Sequence, residues 1–109
     1  MTKIRIPFLP RWRAQMLAGL KTHTCRSEAY GQPGDQFRAF GATFELLAVW
    51  ETTLQDVAEN YFRQEGCGTP HEFVGVWNQI HPRRGFIPTD RRWLHHFRLL
   101  PHRTPGGAP

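Results

Sequence analysis

At 109 residues the chain has the size of one domain, long enough to bury a single core and too short to divide usefully into two. Its formal charge of +5 and pI near 10.0 rest almost wholly on arginine, which suits a phosphate-bearing partner and equally suits a surface laced with planar salt bridges. No stretch approaches the roughly 18 to 20 apolar residues of a membrane span, and the N-terminus lacks a signal-peptide apolar run, so the chain reads as cytoplasmic with no membrane contact. Cys25 and Cys67 stand without a Cys-x-x-Cys pair or any zinc-like spacing, and both are expected as reduced thiols. Neither a metal nor a cofactor is implied.

Ile4, Ile6 and Phe8 alternate with Lys3, Arg5 and Pro7, the period-2 pattern of a half-buried first strand. Pro10 suits the first turn of a helix carrying Trp12, Met16, Leu17 and Leu20 on its apolar stripe, with Gly19 as its left-handed stop. Gly31-Gln32-Pro33-Gly34-Asp35 is a dense turn signal, after which Phe37 to Phe40 and Ala42 to Glu51 predict a hairpin about Gly41. Phe44, Leu46, Ala48 and Trp50 would share one face of the second strand, with Leu47 and Val49 on the other, as in a central strand covered on both sides.

Thr53-Leu54-Gln55-Asp56 opens a helix with capping-box-like spacing, although Asp is shorter than the usual Glu or Gln. Leu54, Val57, Ala58, Tyr61 and Glu65 form its stripe up to Gly66. Thr69-Pro70-His71-Glu72 is a fuller capping box leading into Phe73, Val76, Trp77 and Ile80, before His81-Pro82 stops the helix. Pro82 to Asp90 reads as a loop, Trp93 to Leu100 as a final strand, and 102–109 as a disordered tail to a domain spanning 1–101. Strand, helix, strands, two helices and strand make an α+β fold, and so few short strands favour closure into a small barrel that removes sheet edges.

Two places invite chemistry. Glu65 sets a carboxylate on a buried stripe at the negative end of a helix, where it needs a partner unless it snorkels into water. Lys21-Thr22-His23-Thr24-Cys25-Arg26 packs cations, hydroxyls, an imidazole and a thiol with no strong apolar residue, as in a pocket or a solvated edge strand.

These residues carry a resemblance. Met16-Leu17-Ala18-Gly19-Leu20-Lys21-Thr22-His23-Thr24-Cys25-Arg26, then Pro33-Gly34-Asp35, Gln64-Glu65-Gly66 and Trp77 resemble the ASCH family over about Ile4 to Leu100. The resemblance implies a PUA-like fold, a small mixed β-barrel with peripheral helices, and a role directed at RNA or a modified nucleoside. A short bacterial branch that removes the acetyl group from N(4)-acetylcytidine is the more similar one. It implies Lys21, Thr24 and Glu65 as the catalytic set, while Arg26, which shares the parity of Thr24, and Thr22 are read as facing the substrate.

In that chemistry Thr24 attacks the amide carbonyl once Lys21 takes its proton, which asks the lysine pKa to fall from roughly 10.4 toward 7 or 8. Glu65 would oppose that fall, and so would bind the cytosine edge, orient Lys21 or relay a proton. Residues three apart face opposite ways on a regular strand, so Lys21 and Thr24 can meet only across a turn or bulge. His23 and Cys25 share the other parity, and a Cys-His nucleophile is the alternative there. Two further functions remain open: an RNA-binding module whose Arg83, Arg84, Arg91 and Arg92 grip the backbone, with Trp93 and Phe86 as stacking surfaces, and a ribonuclease using the same basic pocket.

Overall fold

The computed structural model describes residues 2–101, and the expected tail at 102–109 lies outside them. One antiparallel sheet in the order β1-β4-β3-β2 curls into a half-barrel, built from β1 (His23–Arg26), β2 (Gln36–Ala39), β3 (Ala42–Thr53) and β4 (Arg91–Leu99). Three helices pack around it, α1 (Arg13–Leu17), α2 (Leu54–Asn60) and α3 (Pro70–Ile80). Among the described residues no helix is long and apolar enough to cross a membrane.

The N-terminal alternation is real, but it does not make a strand. Ile6 is buried and Phe8 stacks on Phe37 and meets Phe97 edge-on, while Lys3, Arg5 and Pro7 stay exposed. Backbone pairing stops at one parallel bridge, Lys3 with Gln36, because Pro7 has no N–H to extend a ladder. Pro10 then starts a 3-10 turn (Pro10–Trp12) that runs into α1. The expected hairpin forms, with Phe40 (φ 54°) and Gly41 (φ 79°) as its two left-handed turn residues.

β3 is central, yet a bulge at Leu47 shifts its register on β4, from Leu46 opposite Phe97 to Ala48 opposite His96. Leu47 is therefore exposed instead of covered, and Trp50 turns toward His23 and Tyr61. Thr53 caps α2 through the Asp56 N–H, but the Asp56 carboxylate is held by the Thr52 hydroxyl and does not close a capping box. Thr69 caps α3 through the Glu72 N–H, with Pro70 in the first turn as the sequence indicates.

The largest departure concerns Glu65. The helix predicted to reach Gly66 ends at Asn60, and Tyr61 leaves the helical region at φ −130°. Tertiary pairing wins over local propensity here. The Gln64 carbonyl accepts the N–H groups of Thr22 and His23, and Tyr61 stacks on the His23 ring, which together draw 61–66 off the helix axis into separate turns. Glu65 thus sits in a loop turn and meets no helix dipole.

Gly66 closes that turn at φ 98°, where an added Cβ would run into Gln15 Oε1 and lie 2.9 Å from the Trp12 ring. Gly66→Ala should lower stability by roughly 1–3 kcal/mol, read from the urea midpoint, since both the backbone and its neighbours resist. His23 gives a second expectation. Burial first, then His96 and Lys21, pull its pKa from 6.5 down to about 4, so the unfolded state binds more protons between those values and stability falls as pH drops from about 6.5 to about 4. A His23→Phe variant, which keeps an aromatic ring against His96 and Tyr61, should show a shallower loss of melting temperature over that window.

Candidate active site

The backbone around Lys21 is irregular, and Lys21 and Thr24 both line one cavity. Lys21 precedes β1, and its N–H and that of Leu20 both return to the Gln15 carbonyl at the end of α1. The side chain is 3% exposed, and its Nζ donates to Glu65 Oε1 at 3.1 Å, the Glu65 carbonyl at 2.7 Å and the His23 carbonyl at 2.9 Å. Three acceptors match the three N–H groups of an ammonium, and the Trp12 ring lies 4.5 Å below it.

Glu65 is 7% exposed, and burial raises its carboxyl above the usual range against the pull of Lys21 and Arg26. Its Oε1 meets Lys21, while Oε2 is buried with no hydrogen-bond partner among the described residues.

Thr24 and Arg26 share one face of β1, opposite His95 and Trp93 of β4. Arg26 Nε donates to Thr24 Oγ1 at 2.9 Å and its other arm donates to the Pro7 carbonyl, with Phe8 and Tyr30 flanking the guanidinium. Behind them His95 is fully buried. It accepts the Tyr30 N–H on Nε2, which assigns the ring proton to Nδ1, facing the Thr24 and Trp93 carbonyls at 3.2 Å. Burial lowers its pKa, so the ring stays neutral and ties the 27–30 loop to β1 and β4.

A cavity of about 460 Å³ gathers these groups, within the range of small-molecule sites. Lys21, Thr24, Arg26 and Glu65 line one part, and Phe73, Val76, Trp77 and His81 of the α3 side line another, with Arg92. Because β1 is the free edge of the sheet, the cavity draws on both of its faces, which is why Cys25 also lines it. Burial pushes the Cys25 thiol well up and the Cys67 thiol up to about 11, so the Cys-His alternative lacks a thiolate, and His23 Nδ1 is engaged by the Thr22 hydroxyl at 2.8 Å. No group of three His, Cys, Asp or Glu among the described residues could hold a metal.

Of the residues singled out in the sequence, the structure brings Lys21, Thr24, Arg26, Glu65 and Arg92 to this cavity. Thr22 is not part of its lining. Arg84 is held by Asp90 through two bonds of 2.7 Å, Arg92 lies 3.7 Å from the same carboxylate, Arg91 pairs with Glu51, and Arg83 is exposed. Trp93 and Phe86 are half-buried, and Phe86 meets Phe73 edge-on against the core. Trp77 had no assigned role in the sequence, because a Trp on a helical apolar stripe is ordinarily core, and nothing in the pattern marks it as cavity wall.

No family model matches the chain. It is 38% identical over 104 residues to an N(4)-acetylcytidine amidohydrolase of Haemophilus influenzae (strain PittEE), covering 87% of this chain and 94% of the relative. A protein of the same name from Cronobacter sakazakii is 36% identical over 86 residues, covering 71% and 82%. The crystal structure of an ASCH domain from Lactobacillus crispatus superposes with a TM-score of 0.60 at 15% identity, over 90% of this chain and 78% of that one, and shows the α+β, PUA-like fold. Identity and coverage of this extent place the chain in the N(4)-acetylcytidine amidohydrolase family, on the ASCH-domain fold.

Proposed function

We propose that the protein hydrolyses the amide of N(4)-acetylcytidine to cytidine and acetate, with Thr24 as nucleophile, Lys21 as proton carrier and Glu65 as its partner. The observation that carries this reading is the convergence of the four polar side chains on one cavity in a chain of this family. Thr24 Oγ1 already receives the Arg26 Nε proton donor, which stabilises negative charge growing on the oxygen as it attacks.

Lys21 as an ammonium with three acceptors cannot take the hydroxyl proton until it gives one up. Glu65 Oε1, at 3.1 Å, is the acceptor for that proton, and the burial that raises the Glu65 carboxyl lowers the cost of the transfer. The neutral amine then takes the Thr24 proton as the oxygen–carbon bond forms. Collapse breaks the carbon–nitrogen bond, and Lys21 returns the proton to the departing N4. Water attacks the acetyl ester with Lys21 again as base, acetate leaves, and Thr24 Oγ1 recovers its proton.

The substrate we infer is the nucleoside. Of the four arginines expected to grip an RNA backbone, Arg84 and Arg92 share the Asp90 carboxylate and Arg91 has Glu51 within reach, so two carboxylates offset half of the charge they could bring to a phosphate.

Chromatographic turnover tests the proposal. The purified protein should release cytidine from N(4)-acetylcytidine at a rate little affected by salt, and Lys21→Ala or Thr24→Ala should lower kcat/KM at least about a hundredfold. Absence of cytidine release by the wild type would sink the function. Wild-type turnover in either folded variant would leave the function and remove the mechanism.

A further inference from the structure

Glu65 and Trp77 both line the cavity, and each carries a buried polar atom without a hydrogen-bond partner among the described residues, Oε2 and Nε1. Such atoms are uncommon in folded proteins and each calls for a complement. They are of opposite kinds: a carboxylate oxygen accepts, whereas an indole N–H can only donate. The third orphan, Gln15 Oε1, belongs to a residue that does not line the cavity.

Trp77 is 6% exposed on α3, and its ring is fixed by packing. The His81 ring lies 4.2 Å away, Phe73 stacks at 6.0 Å, and the Arg92 guanidinium sits 5.7 Å over the indole. The N–H therefore cannot swing out to water without breaking those contacts.

We propose that Trp77 determines specificity by donating its Nε1–H to the C2 carbonyl oxygen of a cytosine ring, while Glu65 Oε2 accepts from the exocyclic N4–H. The assignment rests on the amidohydrolase reading and deepens it. Cytosine displays a donor at N4 and an acceptor at O2, the complement of this acceptor and donor, and the acylated amine keeps one N–H. Uracil would instead turn a carbonyl oxygen toward the Glu65 carboxylate and be refused. A site with buried polar groups rejects ligands that leave those groups unpaired far more strongly than an apolar pocket does.

The test is kinetic, with N(4)-acetylcytidine and its 2-thio analogue, whose sulfur is a weak acceptor, on the wild type and on Trp77→Phe. The variant should raise KM for the parent about tenfold with kcat nearly unchanged, as loss of one buried hydrogen bond made equally in ground and transition states predicts. The thio substitution should weaken the wild type similarly and cost the variant nothing further. Unchanged KM in the folded variant, or losses that simply add, would overturn the assignment. Where Trp77→Phe fails to fold, equal kcat/KM for parent and thio substrates on the wild type overturns it alone. Failure of the wild type to release cytidine from the parent would instead remove the amidohydrolase reading, and this assignment with it.

Discussion

The buried ion pair of Lys21 and Glu65 is the constraint on which the local architecture turns. Two charges at this depth are stable only when geometry and additional hydrogen bonds offset their lost hydration. Here the compensation comes from main-chain carbonyls. Lys21 takes those of His23 and of Glu65 itself in addition to the carboxylate, so one side chain pins the start of β1 to the turn after α2. The Gln64 carbonyl reinforces the same junction by accepting from Thr22 and His23. The turn that holds Glu65 and the strand that holds Thr24 are in effect one unit, stitched by this buried charge pair.

That unit is stiff on both sides of the sheet. On one side His95 joins the Thr24 carbonyl and the Tyr30 N–H through a neutral ring, and Arg26 bridges Thr24 to the Pro7 carbonyl. On the other, His23 stacks between His96 and Tyr61. The imidazoles thus serve as packing and hydrogen-bonding pieces rather than as bases, and the depressed pKa values that burial produces keep them uncharged beside a cationic lysine and arginine.

Much of this was legible in the sequence, and the reasons for the gaps are physical. The hairpin, the Thr69 cap of α3 and the final strand rest on local chemistry, namely the turn at Phe40-Gly41, the threonine hydroxyl before Pro70 and the strand pattern after Asp90, and they form, although the reciprocal Glu72 bond of a capping box does not. The ASCH resemblance pointed to Lys21, Thr24, Arg26 and Glu65, which do converge. The early end of α2 was not legible, because a carbonyl at Gln64 captured by residues more than forty positions earlier leaves no local trace. The bulge at Leu47 is equally silent, since a strand pattern shows parity but not register. Trp77 was hidden for a third reason. It sits on the apolar stripe of α3, which the sequence reads as core, and its orphaned N–H leaves no mark in that pattern.

The N-terminal segment has a consequence for how the molecule behaves in a crowded solution. Thr2 and Ile4 hydrogen-bond to Gln36 along the outer side of β2, while Pro7, Phe8 and Leu9 stand over the cavity beside β1. A single irregular stretch therefore occupies the start of one free edge of the sheet at Gln36 and reaches the other through the Arg26 bond to the Pro7 carbonyl, near the places where another chain could add a strand. Its prolines and exposed cations make it a poor template for such addition, so the piece of chain beside the cavity also works against strand pairing between copies.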